Sequence, residues 1–329
     1  MAAPALNALN YLQVGLESVY GTPVACTHRL PVLDWGFPSN EGLANDDSQI
    51  GVAFPNAPIP TVHRADWFVE AIADFENQLL LWDLAFGTAT FGVKGAVDAG
   101  AGPYTHTYND SKALFNSITI EGIGGNVPAG KCERMAGAKV ARVRFWSPGP
   151  DQPFRVRFEG PAYKKERNQT PTGALTAGTR YPMGWRHITA LSNGSADAAG
   201  DQAITSFEFT METPLAVEHT GKSARYVDEP ILNGVRIARL SLDQRRHTKT
   251  LEDHYDAGTK TLTPALTLTD STRAFAFTCG AAMLTEMPDP ASHDGYGIAM
   301  QSLRYLLLSG GSYATQIVIT NSEATATTP

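Results

Sequence analysis

Apolar and polar residues alternate along much of this chain. Ile118 and Ile120 interleave with Ser117, Thr119 and Glu121. Phe154, Val156 and Phe158 interleave with Arg155, Arg157 and Glu159, and Phe207, Phe209 and Met211 with Glu208, Thr210 and Glu212. A period of two sends one set of side chains to a packed face and the other to a wet or contact-making face, which predicts half-buried β-strands. Residues 265–269 and 274–278 repeat the pattern more weakly, and aromatic and β-branched content supports strands throughout. Helical periodicity is confined to two places. Phe75, Leu79, Trp82 and Phe86 fall on one face of a predicted helix over 75–86, with Asp74 as N-cap and Gly87 as stop. A shorter helix is predicted at 251–255, ending near Gly258. The first would lie across a sheet and cover its apolar face.

Residues 137–145 (GAKVARVRF) resemble residues 234–242 (GVRIARLSL), with Gly137, Ala141 and Arg142 matching Gly234, Ala238 and Arg239. Both segments break alternation at the same place. Val140 and Val143 are three apart, as are Ile237 and Leu240, and one extra residue is what a β-bulge supplies. The shared slip predicts two copies of one fold. Residues 164–201, rich in Gly, Thr, Pro and Ala, are expected to form a connection or long loop between them. A second irregular stretch covers 37–61. The expected division is a first domain over 1–190, a second over 191–320 and a flexible tail over 321–329.

Composition narrows function mostly by exclusion. The formal charge is −7, which argues against a dedicated nucleic-acid binder and permits a surface past which a polyanion moves unheld. Only 18% of residues are charged, low enough for a surface that meets other protein. Cys26, Cys132 and Cys279 are too scattered for a disulfide framework or a metal cage. No apolar stretch approaches the about 18 residues of a membrane span, and no leader pattern opens the chain. Phosphate-loop, dinucleotide, zinc-protease and serine-hydrolase motifs are absent, so no enzyme, cofactor or metal is expected and no catalytic residue is assigned.

Three clusters are still candidates for chemistry. Tyr104, His106, Tyr108 and Asp110 share one face of an extended segment, where a hydrogen-bonded strand is the expectation and proton transfer the rival. His247, Glu252, Asp253 and His254 could imitate a metal site, but a solvated turn is expected. Arg142, Arg144, Arg155 and Arg157, with Arg236, Arg239, Arg245, Arg246 and Lys249, lack the aromatic interleaving of a nucleic-acid platform. Ion pairs with carboxylates of a neighbouring subunit are the expectation for them.

The opening supplies a resemblance. Residues 11–23 (YLQVGLESVYGTP), with Glu17, Tyr20, Gly21 and Thr22, resemble the N-terminal signature of major tail tube proteins of long, non-contractile-tailed bacteriophages. Residues 67–73, 85–87, 104–108, 116–122 and 134–139 continue in the family's order, so the likeness covers about 11–165 and is looser beyond. It implies a mainly β fold, tandem tail-tube-type β-sandwich or barrel domains each with a short flanking helix. It also implies stacked rings forming the tail tube of the virion, assembled in the host cytoplasm, through which DNA is ejected. The partners implied are other copies of the chain, tail tip and tail terminator proteins, a tape measure protein in the lumen during assembly, and double-stranded DNA in transit. A duplicated chain would close a ring as a trimer, the alternative being a hexamer whose second half is an outward decoration. The competing expectation is a virion-borne β-sandwich carbohydrate- or receptor-binding module, or another virion assembly protein. The five tryptophans are spread along the chain instead of gathered as a glycan platform.

Overall fold

A computed structural model describes residues 11–44, 59–86, 103–109, 116–124, 130–173, 175, 178–195, 204–219, 226–245, 249–287, 292–293, 299–309 and 314–321. In chain order the strands begin β1 (Tyr11–Leu16), β2 (His28–Leu30), β3 (Asp34–Gly36), β4 (Ser39–Ala44) and β5 (Ile59–Ile72), followed by helix α1 (Leu79–Phe86). Next come β6 (Tyr104–Asn109), β7 (Ile118–Ile123), β8 (Cys132–Ala138), β9 (Arg142–Ser147), β10 (Arg155–Ala162) and β11 (Lys164–Gln169). The chain continues with β12 (Ile188–Ser192), β13 (Ile204–Glu212), β14 (Leu215–Ala216), β15 (Ile231–Leu232), β16 (Ile237–Gln244) and helix α2 (Lys249–Asp256). It ends with β17 (Ala265–Asp270), β18 (Arg273–Cys279), β19 (Ala281–Glu286), β20 (Ser292–His293), β21 (Ala299–Leu308) and β22 (Thr315–Asn321).

These strands build one wide sheet and two narrow ones, all antiparallel. The wide sheet follows the path β3-β5-β10-β9-β13-β16-β21-β19, with β4 in line with β3 on β5 and β20 on β21. The narrow sheets run β11-β8-β7-β1-β2 and β12-β17-β18-β22-β6, and β14 and β15 form a separate ribbon. The strand paths repeat. Strands β3, β5, β9 and β10 occupy the wide sheet in the order β3-β5-β10-β9. Four strands further on, β13, β16, β19 and β21 occupy it as β13-β16-β21-β19. In the narrow sheets β11-β8-β7-β1 is matched by β22-β18-β17-β12, and α1 and α2 hold equivalent places in chain order. This is the expected mainly β architecture of tandem sandwiches with a short helix apiece. One strand crosses between them: β6 lies early in the chain but pairs with β22 over Gln316↔Asn109 to Asn321↔Tyr104.

The core is one contiguous cluster made by the inward set of each alternating strand. Val143 and Phe145, Val156 and Phe158, Phe207, Phe209 and Met211, and Leu240 and Leu242 all point into it. Phe145 of β9 stacks on Phe275 of β18 at 4.9 Å, and Phe209 of β13 lies 4.9 Å from Phe277 of the same strand. The second narrow sheet therefore straddles the β9–β13 junction. Helix α1 is buried on every side, so it fills the space between the sheets rather than capping one of them.

Four expectations change in the folded chain. Residues 137–145 are not one bulged strand: β8 ends at Ala138, residues 139–141 cross from a narrow sheet to the wide one, and β9 begins there. The corner is tight. Gly137 has φ +67°, and a Cβ on Gly160 would lie 2.0 Å from the Lys139 carbonyl oxygen. In the second segment the slip is an outward Ile237 at the start of a regular strand, with Ala238, Leu240 and Leu242 buried in unbroken alternation. The repeated unit is thus a strand path in which β16 matches β5, and the local likeness of 137–145 to 234–242 is not its mark. Residues 164–201 contain β11 and β12, because Lys and Thr side chains on a strand's wet face mask its period. Helix α1 starts at Leu79, since Asp74 Oδ1 accepts from the Glu76 and Asn77 amides and closes a turn ahead of it. Asn321 is not frayed: it ends β22, buried, with Nδ2 donating to the Phe75 carbonyl at 2.8 Å. Residues 322–329 lie outside the described residues.

Candidate assembly face

The wide sheet has one face in the core and one face that no other sheet covers among the described residues. That outer face is hollowed. A concavity of about 620 Å³ lies over β9, β13, β16, β21 and β19, and one of about 410 Å³ lies over β5, β10 and β9. Its residues are the polar half of each alternation: Glu70 on β5, Arg155, Arg157 and Glu159 on β10, Arg142 and Arg144 on β9. Glu208 and Glu212 on β13, Arg239 and Asp243 on β16, and Arg304 on β21 continue the pattern.

Neighbouring strands place opposite charges side by side. Arg144 holds Glu208 with two bonds, Nε to Oε1 at 2.8 Å and Nη2 to Oε2 at 2.9 Å, across the β9–β13 junction. Arg142 lies 3.5 Å from both Glu159 and Glu212, and Arg239 lies 4.0 Å from Glu212. Arg155 and Arg157 flank Glu70 at 3.3 and 3.9 Å, Arg157 also donates to Glu159 at 2.8 Å, and Arg304 meets Glu286 at 3.0 Å. Asp243 accepts from Ser206 and Ser302, each at 2.6 Å. Two guanidinium groups are committed again, Arg144 over Trp146 at 4.5 Å and Arg157 over Phe68 at 4.2 Å.

The expectation of intersubunit pairs for these arginines is corrected here. Arg142, Arg144, Arg155, Arg157 and Arg239 find carboxylates within their own chain, because cross-strand neighbours are only about 5 Å apart. Arg236 instead donates to the Phe86 carbonyl at 2.6 Å. Arg245 is exposed, and Arg246 and the Lys249 side chain lie outside the described residues. Half-exposed pairs of this kind contribute little stability, about 0.2–1 kcal/mol each. Glu208→Gln is accordingly expected to lower the stability of the unassembled chain by no more than about 1 kcal/mol in urea denaturation. A larger loss would mean that the pair carries the junction.

Both ends of the wide sheet are open among the described residues. No strand pairs with the outer edge of β3 and β4. The outer edge of β19 is bridged by backbone at Ala282 alone, to Leu262, and helix α2 packs beside the strand. Unpaired edges are liabilities unless a partner covers them.

The candidates for chemistry dissolve into structure. His106 and Tyr108 are buried on one face of β6, as the spacing predicted, with His106 Nε2 3.2 Å from Asn321 Oδ1. Burial holds the Tyr108 hydroxyl well above its usual range, with Asp83 adding to it. Asp110 and His247 lie outside the described residues, while His254 bonds Thr259 Oγ1 at 3.2 Å. The three cysteines are buried and free, and burial pushes the thiols of Cys26 and Cys279 to about 12 and that of Cys132 to about 11. Thiols this far from ionising are poor nucleophiles. Among the described residues no cluster of His, Cys, Asp and Glu could hold a metal.

Sequence reasoning passed over two buried carboxylates in the first narrow sheet. Glu17 accepts from the Gly21 and Gly137 amides and from the Ser117 and Thr119 hydroxyls, at 2.8–3.0 Å. Glu121 accepts from Arg134 through Nε and Nη2 and from the amide and hydroxyl of Thr172. Both tie distant segments together.

A concave, charge-paired sheet face bounded by two open edges defines a β-sandwich subunit that builds a wall with its own kind. The chain belongs to the phage tail tube protein family, whose model matches residues 7–305. It is a structural subunit of the tube, it resides in the tail of the virion, and its task is not catalytic. No curated protein matches the chain significantly.

Proposed function

We propose that three chains close each ring of the tube, every chain supplying two sandwich units. The first unit ends with β11 and the second begins with β12, which puts the proposed division ahead of Ile188, whereas the expected one at 190/191 falls inside β12. The observation that carries this reading is the displacement by four strands. It relates β3-β5-β10-β9 to β13-β16-β21-β19, so the two units follow one another head to tail. The β9–β13 pairing inside the chain is then the template for pairing between chains, with β19 of one copy beside β3 and β4 of the next. A heterologous contact repeated around an axis closes a ring when the rotation allows, and closure removes every edge from the wall.

The concave face lines the lumen. Its described arginines are each held by a carboxylate, so among the described residues no basic track is left to collect phosphates, and DNA passes without being retained. Tail tip and terminator proteins at the ends, and a tape measure protein in the lumen during assembly, complete the proposed partners. End-on electron micrographs with native mass measurement test the reading. Three chains per ring, with the charged face inward, is the expected result. Six copies of the whole chain per ring would overturn it.

A further inference from the structure

Seven large apolar side chains stand exposed among the described residues: Val19, Leu33, Val62, Ile231, Val235, Ile237 and Tyr255. Their distribution is not random. Leu33 immediately precedes β3, and Tyr255 sits on α2, which packs beside β19. These two flank the open edges. The other five gather at one end of the strands.

The register fixes that end. Phe68, Glu159, Arg142, Glu212 and Ile237 form one row across β5, β10, β9, β13 and β16. Ile231 and Val235 lie beyond Ile237, on the ribbon strand β15 and the turn after it. Val62 lies beyond this row on β5. Val19 adjoins Tyr20, whose ring meets Tyr163, the residue that follows β10 at the same end. The carrier of this patch is anchored. Lys139 Nζ binds Glu229 at 2.8 Å, and Tyr226 packs on Tyr163 and His63 at 5.0 and 5.5 Å. These contacts fasten the β14–β15 region to the junction between the two units. Val235 is 85% exposed nonetheless. At the opposite end the exposed turn between β9 and β10 is Pro148, Pro150, Asp151 and Gln152, with no large apolar side chain.

We infer that this apolar rim is the stacking surface, and that its occupant is the ring of a second set of copies of this chain. The inference rests on the proposed ring. When a sheet closes edge to edge, its strand ends become the two axial rims, and in a tube each rim is covered by another ring. Aliphatic side chains left in water at a rim, continuous with the seam between units, gain burial when the next ring seats on them. Among the described residues the aliphatic cluster lies at this rim and the exposed β9–β10 turn at the other is polar, so the contact is between unlike rims and stacking has one direction.

The test is the full chain with Ile231→Asp and Val235→Asp together, both at exposed positions. Negative-stain micrographs and sedimentation should show single rings and loss of tubes, with thermal unfolding of the unassembled chain unchanged. The paired Ile231→Leu and Val235→Leu variant should form tubes as the parent does. Raising sodium chloride to a molar level should leave parental tubes intact, since apolar contact is not screened. Tubes of parental length from the aspartate variant, or salt-driven dissociation of parental tubes into rings, would overturn the assignment. Ring stoichiometry is read separately, so six-chain rings that lose stacking would refute the trimer and keep the rim.

Discussion

Replacing Glu17 with alanine is expected to destabilise the unassembled chain by about 3–4 kcal/mol. The carboxylate is 3% exposed and takes four hydrogen bonds from three separate places. Gly21 belongs to the turn after β1, Ser117 and Thr119 to the start of β7, and Gly137 to the corner where β8 leaves its sheet. Two of the donors are glycine amides at φ +71° and +67°, so the acceptor also holds backbone that only glycine adopts cheaply. Alanine would leave two hydroxyls and two amides without their acceptor, each a penalty of about 1–3 kcal/mol if no water enters. Glutamine keeps one carbonyl oxygen but presents an amide to the other donors, so Glu17→Gln should fall between alanine and the parent. Urea midpoints with unchanged slope measure the series. A loss under 1 kcal/mol for alanine would show that water replaces the carboxylate.

The same residue marks where sequence reading stops. Glu17 stood inside the signature that pointed to the family, and Gly21 in that signature is one of its donors, yet the other three lie 100 to 120 residues away, and spacing along a chain carries no information about them. Alternation told correctly which side chains of β10 and β13 face inward, because period two reports a face; in β7 the polar set, Ser117, Thr119 and Glu121, is buried as well. It did not tell which sheet a strand joins. Residues 137–145 look like one strand but turn a corner between two sheets. Residues 104–109 look like part of the first unit but pair with β22 in the second. The arginines were legible as partners of carboxylates. That the carboxylates were in the same chain depended on β9 pairing with β13, a contact decided by the whole sheet. The repeat was legible as a fact of the chain and misplaced in register. Duplicated strand paths with diverged side chains leave no residue-by-residue trace, whereas an unrelated pair of Ala-Arg segments does.

Trp82→Ala should cost about 3–5 kcal/mol, and its effect should reach both units. The indole is 1% exposed on α1. Its ring lies 5.3 Å from Phe158 and 6.1 Å from Phe145, both in the first unit's part of the wide sheet, and 6.0 Å from Phe275 on the second unit's narrow sheet. Phe145 and Phe275 also stack on each other, so the four rings close a cluster at the β9–β13 junction. Removing the indole opens a cavity bounded on two sides by strands whose hydrogen bonds prevent collapse, which puts the cost toward the top of the range. Phenylalanine is the discriminating control. Trp82 Nε1 has no hydrogen-bond partner among the described residues, so Trp82→Phe removes an unsatisfied donor along with some volume, and its cost should stay below about 2 kcal/mol. In urea, probes in the two units should unfold together in the parent and separate in the alanine variant, because the cluster is what joins helix, wall and outer sheet into one core. Coincident transitions in the alanine variant would assign that coupling to the β6–β22 pairing instead.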